Sequence, residues 1–127
     1  MRIISGKFKG RIISFLKNST TRPLKDTVKE NIFNILKHSN LIKVKIENSY
    51  ILDLYSGVGS FGIECISRGS KKVTFIEHDK TASNILKKNL NNLSITTKSK
   101  VYNDQIEKVF SKEFKDKYNI FFFDPPF

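Results

Sequence analysis

Tryptophan is absent from these 127 residues, cysteine and methionine occur once each, histidine twice and proline three times. The lone Cys65 excludes an internal disulfide framework, and with only His38 and His78 beside it no dedicated zinc site can be assembled. Cys65 falls among apolar residues of a predicted helix and reads as a buried, inert thiol. No apolar run approaches the ~20 residues of a membrane span. The apolar stretch of the N-terminus is too short for a signal peptide, so a soluble, cytoplasmic and monomeric protein is expected. Acid is scarce as well, 12 Asp and Glu against 23 Lys and Arg, for a formal charge of +11. That scarcity is local: residues 1–25 hold seven bases and no acid, whereas residues 51–127 hold 12 bases and 9 acids. A basic arm of this kind suits a polyanion. An AT-rich genome also produces such a mix, since 19 of the 23 bases are lysine.

The apolar pattern that is present divides the chain at Tyr50. Residues 1–49 read as a basic extension. Ile3-Ile4, Phe8 and Ile12-Ile13 alternate with Gly6, Lys7, Lys9, Gly10 and Arg11, which predicts a hairpin with a basic face. Val28, Ile32, Ile35 and Leu36 then predict one face of a helix from Asp26 to about His38, whose imidazole suits the negative end of that helix. Residues 50–127 alternate strand and helix patterns. Strands are predicted at Tyr50–Leu54, Lys72–Glu77, Ser99–Tyr102 and Tyr118–Phe123, and helices at Phe61–Arg68, after Asp79, and at Gln105–Phe114. Repeated β-α-β units imply an α/β fold, Rossmann-like, with an open, mainly parallel sheet and helices on both faces. The last strand is almost wholly apolar, as one covered on both sides should be. Because the chain stops four residues after it, a sheet cut short, with an apolar edge left over, is the expectation.

Tyr50-Ile-Leu-Asp53-Leu-Tyr55-Ser-Gly57-Val-Gly59-Ser-Phe-Gly62 joins a buried strand to a G-x-G-x-x-G loop. Such a loop lets the backbone come close to a ligand and offers it the next helix's unpaired amides. A nicotinamide or flavin dinucleotide is one candidate, and Glu77, 18 residues after Gly59, suits the ribose of any nucleoside cofactor. Asp53 tips the balance: a carboxylate beside the loop repels a pyrophosphate but suits the sulfonium and ammonium of S-adenosylmethionine. Asp104, after the third strand, could accept from an adenine amino group or could simply cap the next helix. Tyr55, His78 and Gln105 flank these positions and complete the cofactor-binding set.

Asp124-Pro125-Pro126-Phe127 follows the fourth strand directly. The prolines fix two φ angles, remove two backbone donors, and keep Asp124 out of the helical region. What remains is a rigid set of acceptors followed by an aromatic ring. Acceptors on both N–H bonds of an exocyclic base amine favour a pyramidal nitrogen, and a carboxylate stabilises the positive charge that grows on it. Phe127 could stack on a base that has left its neighbours. Catalytic roles are therefore expected for Asp124, Pro125, Pro126 and Phe127.

Asp-Pro-Pro-Phe together with Asp53-x-x-x-Gly57-x-Gly59 resembles class I amino-methyltransferases. The opening narrows the resemblance. Met1-Arg-Ile-Ile-Ser-Gly6-Lys-Phe-Lys-Gly10-Arg11, Thr21-Arg22-Pro23 and Asp26-x-Val28-Lys-Glu30-x-x-Phe33-Asn34-Ile35-Leu36 look like the bacterial 16S rRNA guanine-N2 methyltransferases, the RsmD family. The resemblance implies S-adenosylmethionine as cofactor and 16S rRNA, in 30S subunits or their assembly intermediates, as substrate. It implies that Asp53, Gly57 and Gly59 meet the methionine end, Glu77 the ribose and Asp104 the adenine. Arg2, Lys7, Lys9, Arg11 and Arg22 would meet RNA. Family members run on past a position like Phe127. A DNA adenine-N6 or cytosine-N4 methyltransferase, a nicotinamide-binding module and an inactive fragment are the alternatives.

Overall fold

The computed structural model describes residues 1–16, 26–42, 44–112 and 116–125. After the N-terminal segment come α1 (Asp26–His38), β1 (Tyr50–Leu54), α2 (Ser60–Ser67), β2 (Lys72–Ile76), α3 (Lys80–Asn92), a short 3-10 turn, β3 (Ser99–Tyr102), α4 (Ile106–Ser111) and β4 (Ile120–Phe123). The four strands are parallel, in the order β3-β2-β1-β4. Successive strands lie side by side until β3, after which the chain crosses to the far side of β1. The direction of winding therefore reverses between β1 and β4, and in open α/β sheets ligands bind at the carboxyl ends of the strands beside such a reversal.

Alternation along the strands sends two sets of side chains to opposite faces. Ile51, Val73 and Phe75 join Phe61, Leu86, Leu90 and Phe33 in one cluster, with Ile3 and Ile13 of the N-terminal segment in the same core. Leu52, Leu54 and Ile76 pack with Val109 of α4 in a second. Helices thus cover both faces, as expected of this α/β fold. Phe122 stacks on Phe61 at 3.8 Å between ring centroids, and Phe61 on Phe33 at 5.2 Å, so an aromatic column runs from β4 through α2 to α1.

Three elements depart from expectation. The N-terminal segment closes on itself with a single antiparallel bridge, Arg2 to Ile12, in place of two strands. Its turn is held from outside: a side chain on Gly6 (φ 87°) would collide with the Ser67 carbonyl. On α1 the buried side chains are Lys29 and Phe33, while Val28 and Ile35 are exposed. Ile32 and Leu36 of the expected stripe are half-buried against the core, but the deepest positions belong to Lys29 and Phe33, because a buried lysine shares the inner face. On β4 only alternate residues are half-buried, and Phe121 and Phe123 are 63% and 62% exposed. Its apolar character implies cover on both sides, yet α4 packs through Val109 on Leu52, Leu54 and Ile76 of β1 and β2. The helix expected at Gln105–Phe114 is α4, with Gln105 as its N-cap; Phe114 lies outside the described residues.

Candidate functional site

Every strand of the parallel sheet delivers an acid to its carboxyl edge: Asp53 in β1, Glu77 after β2, Asp104 after β3 and Asp124 after β4. Asp53 is 1% exposed and its Oδ2 accepts from the Gly62 amide in the first turn of α2 at 3.1 Å. Burial pushes its carboxyl up to about 8, against the pull of that hydrogen bond, and Asp124 and Glu77 add to the upward push. The free carboxyl is therefore largely protonated at neutral pH. An approaching cation would draw out the negative form, so its discrimination against phosphate belongs to the liganded state.

The glycines divide the work of the loop. Gly57 (φ 56°) has nothing within 4 Å of where a Cβ would stand, which leaves the backbone open to a ligand. Gly59 (φ 95°) is closed in by Leu86 and Ile63, and Gly62 lies against Phe75 and Val73, close enough that a Cβ would strike the ring. The first glycine faces open space, the second makes room for Leu86 of α3, and the third lets α2 descend onto the sheet. Tyr55 also takes a positive φ, 55°, as the chain leaves β1, and its ring meets Phe123 edge-on at 5.4 Å.

Glu77 braces this loop. One carboxylate oxygen accepts from the Gly57 amide and the other from the Asp79 amide, each at 2.9 Å, with the His78 imidazole at 3.4 Å from the second. A carboxylate has lone pairs beyond these two, so a ribose hydroxyl remains within its capacity. Asp104 accepts from the Gln105 amide at 2.8 Å and leads into α4 through Gln105. Asn103, which the sequence did not single out, donates to the carbonyls of Glu77 and His78 at 2.9 and 3.2 Å and so ties the ends of β2 and β3 together.

Leu54 pairs with Phe123, so Asp124 and Pro125 emerge beside Tyr55 at the mouth of the glycine loop. Asp124 is exposed and Pro125 half-buried. Pro126, Phe127 and Arg22 lie outside the described residues. Arg2, Lys7, Lys9 and Arg11 are exposed on the N-terminal segment, and the Arg11 guanidinium donates to the Asn92 carbonyl at 3.1 Å.

Sequence reasoning also missed what holds that segment down. Glu64, fully buried in α2, accepts from the amides of Ile4 and Ser5 at 2.8 and 3.0 Å and pairs with Lys29 at 3.3 Å and Arg68 at 2.9 Å. An acid in the otherwise apolar run Phe61–Ile66 was the available signal, since a buried charge must find partners.

The family model described as conserved hypothetical protein 95 matches residues 1–127, the whole of the chain. The chain belongs to that family. Among its relatives is the ribosomal RNA small subunit methyltransferase D of Haemophilus influenzae, 40% identical over 129 residues that span 100% of this chain and 64% of the relative. The resemblance carried by the motifs is thereby borne out. The solved Escherichia coli protein yhhF is 34% identical and superposes with a TM-score of 0.82, over 100% of this chain and 64% of its own. The C-terminal domain of a Rhodobacter capsulatus precorrin-6Y methyltransferase shares the fold alone, at 12% identity, with a TM-score of 0.68 over 82% of this chain and 51% of its own. The conserved hypothetical protein 95 family thus has the Rossmann-like fold that the β-α-β pattern implied.

Proposed function

We propose that the chain carries the cofactor and target-base sites of a methyltransferase that moves a methyl group from S-adenosylmethionine to the 2-amino group of a guanine in 16S rRNA. The observation that carries this reading is the pairing of β1 with β4, because it sets the glycine loop and Asp124-Pro125 side by side at the reversal of the sheet. A methyl donor in the first and an amine at the second would face each other. The name of the Haemophilus influenzae relative supports a ribosomal RNA substrate. The residues fit the cofactor: open backbone at Gly57, a buried carboxyl at Asp53 suited to a positive ligand end, and Glu77 at the ribose position.

S-adenosylmethionine supplies an electrophilic sulfonium methyl, whose C–S bond breaks, leaving its electron pair on sulfur, as the guanine nitrogen forms the new C–N bond. Asp124 accepts from the amine and stabilises the charge growing on it, and the proton then leaves to water. Pro125 and Pro126 offer no donors to compete for those acceptors, and Phe127 stacks on the base. Positioning and charge stabilisation are the whole of the protein's part. The exposed Arg2, Lys7, Lys9 and Arg11, with Arg22, hold phosphates.

The test is incubation with methyl-labelled cofactor and, separately, unmethylated 30S particles, free 16S rRNA and duplex DNA. Label at a guanine N2 of the rRNA is the expected result, and label only in adenine or cytosine of DNA would overturn it. Asp124→Ala should cut the rate by about 10²–10³-fold, the usual cost of one charge-stabilising group, while cofactor affinity stays within a few-fold. Equal loss of both would make Asp124 a folding residue.

A further inference from the structure

Two fully or nearly buried polar side chains grip the glycine loop, one on each side of Gly59. Asn89 of α3, 3% exposed, donates from Nδ2 to the Val58 carbonyl at 3.1 Å and to the Ser14 carbonyl at 3.0 Å. Its Oδ1 accepts from the Ser14 amide at 2.9 Å. Lys29 of α1, 0% exposed, donates from Nζ to the Ser60 hydroxyl at 3.2 Å and to the Arg2 carbonyl at 3.1 Å, and pairs with Glu64. Val58 and Ser60 flank Gly59, while Arg2 and Ser14 belong to the two arms that meet at the Arg2–Ile12 bridge. Each side of the loop is thus tied to one arm of the basic N-terminal segment by a side chain whose bonds are all internal.

A helix interior does not need either residue, and burying both carries a desolvation cost that a leucine would avoid. What they add is direction. An amide with both donors and its acceptor used, and an ammonium with three partners, fix the relative place of the loop and the arm more narrowly than apolar contact can.

We propose that Asn89 and Lys29 are positioning residues that hold the cofactor loop and the basic arm as one unit, so that occupancy of the loop and seating of a polyanion on the arm reinforce each other. This rests on the reading of the loop as an S-adenosylmethionine site and adds the coupling to it. By reciprocity, whatever the cofactor does for the arm, a bound polyanion does equally for cofactor affinity.

Hydrogen exchange on the unaltered chain, with and without S-adenosylhomocysteine, tests the link directly. The expected result is slower exchange at the Ser14 amide together with the amides of Gly57 and Gly59. Slowing at the loop alone, with Ser14 unchanged, would overturn the coupling. No binding at all would bring down the reading of the loop first, and the coupling with it. A variant supplies a second arm. Asn89→Ser removes the bond to Val58 and should weaken S-adenosylhomocysteine binding about tenfold, measured well below the melting temperature. Leu90→Ala, a core change one residue away, should lower the melting temperature but leave that affinity within about twofold. Equal affinity in the two variants would reduce Asn89 to a packing residue.

Discussion

Asp53 shows how burial can set the working state of a single group. Its carboxyl titrates near 8 in the folded chain and at 3.8 in a model peptide. Below the lower value both folded and unfolded chains hold the proton. Between the two the unfolded chain has lost it while the folded chain keeps it, so stability falls as pH rises from about 4 to about 8. Asp53→Asn should flatten that slope in urea titrations across the window. The same shift makes cofactor binding a proton-releasing event, because a sulfonium or ammonium beside Asp53 favours its ionised form. S-adenosylmethionine affinity should therefore rise with pH up to about 8 and then level off. Calorimetry in buffers of different ionisation enthalpy reads the released proton, and Asp53→Asn should abolish it. Both effects rest on one residue that the sequence exposed as an acid inside an apolar strand.

Elements are joined here by polar contacts that no single stretch of sequence announces. α2 is buried along its whole length, and Glu64 is the acid inside it. Removing one partner from a buried ion pair strands the other, at a cost of about 3–5 kcal/mol. Lys29→Met should lower unfolding free energy on that scale. Arg68→Met should cost less, since Arg68 is 16% exposed and lies over the Phe33 ring at 4.3 Å, an apolar contact that methionine can partly replace. Gly62→Ala tests the descent of α2 onto the sheet. Its added methyl would sit 2.3 Å from the Phe75 ring, and overpacking of this kind costs about 1–3 kcal/mol. All three are read from denaturant midpoints. The element boundaries themselves were legible: β1, β3 and α1 run where the apolar pattern and the breaks put them. The inward face of α1 was legible only at Ile32 and Leu36, because periodicity counts apolar residues and cannot foresee that a lysine will point inside to meet an acid from α2.

At the scale of the whole molecule, charge and apolar surface are unevenly spread. Acids line the carboxyl edge of the sheet, and Arg2, Lys7, Lys9 and Arg11 stand on the N-terminal segment. Neutralising phosphates releases counterions, so under the proposed function RNA affinity should fall steeply with salt. Replacing Lys7 and Lys9 together by Gln should reduce the slope of log K against log salt by about two, through the loss of two contacts. An unchanged slope would move the RNA elsewhere. Among the described residues β4 pairs only with β1, and Phe121 and Phe123 are largely exposed, each touching one tyrosine ring edge-on. Unpaired apolar edges invite association. Phe121→Lys should reduce light scattering at high protein concentration without altering the fold.

The sequence by itself determined the parallel α/β fold, the glycine loop, the acid at each strand end and the Asp124-Pro125 step, because apolar periodicity, glycine and proline act on the backbone nearest to them. It could not determine which groups share a partner across the chain. That Glu77 braces Gly57, that Asn89 and Lys29 hold Val58 and Ser60 to the N-terminal arms, and that Asp53 keeps its proton are consequences of burial and of contacts spanning 20 to 75 residues. Only the packed tertiary structure decides these, because a hydrogen bond or a desolvated charge depends on what stands a few ångströms away in space.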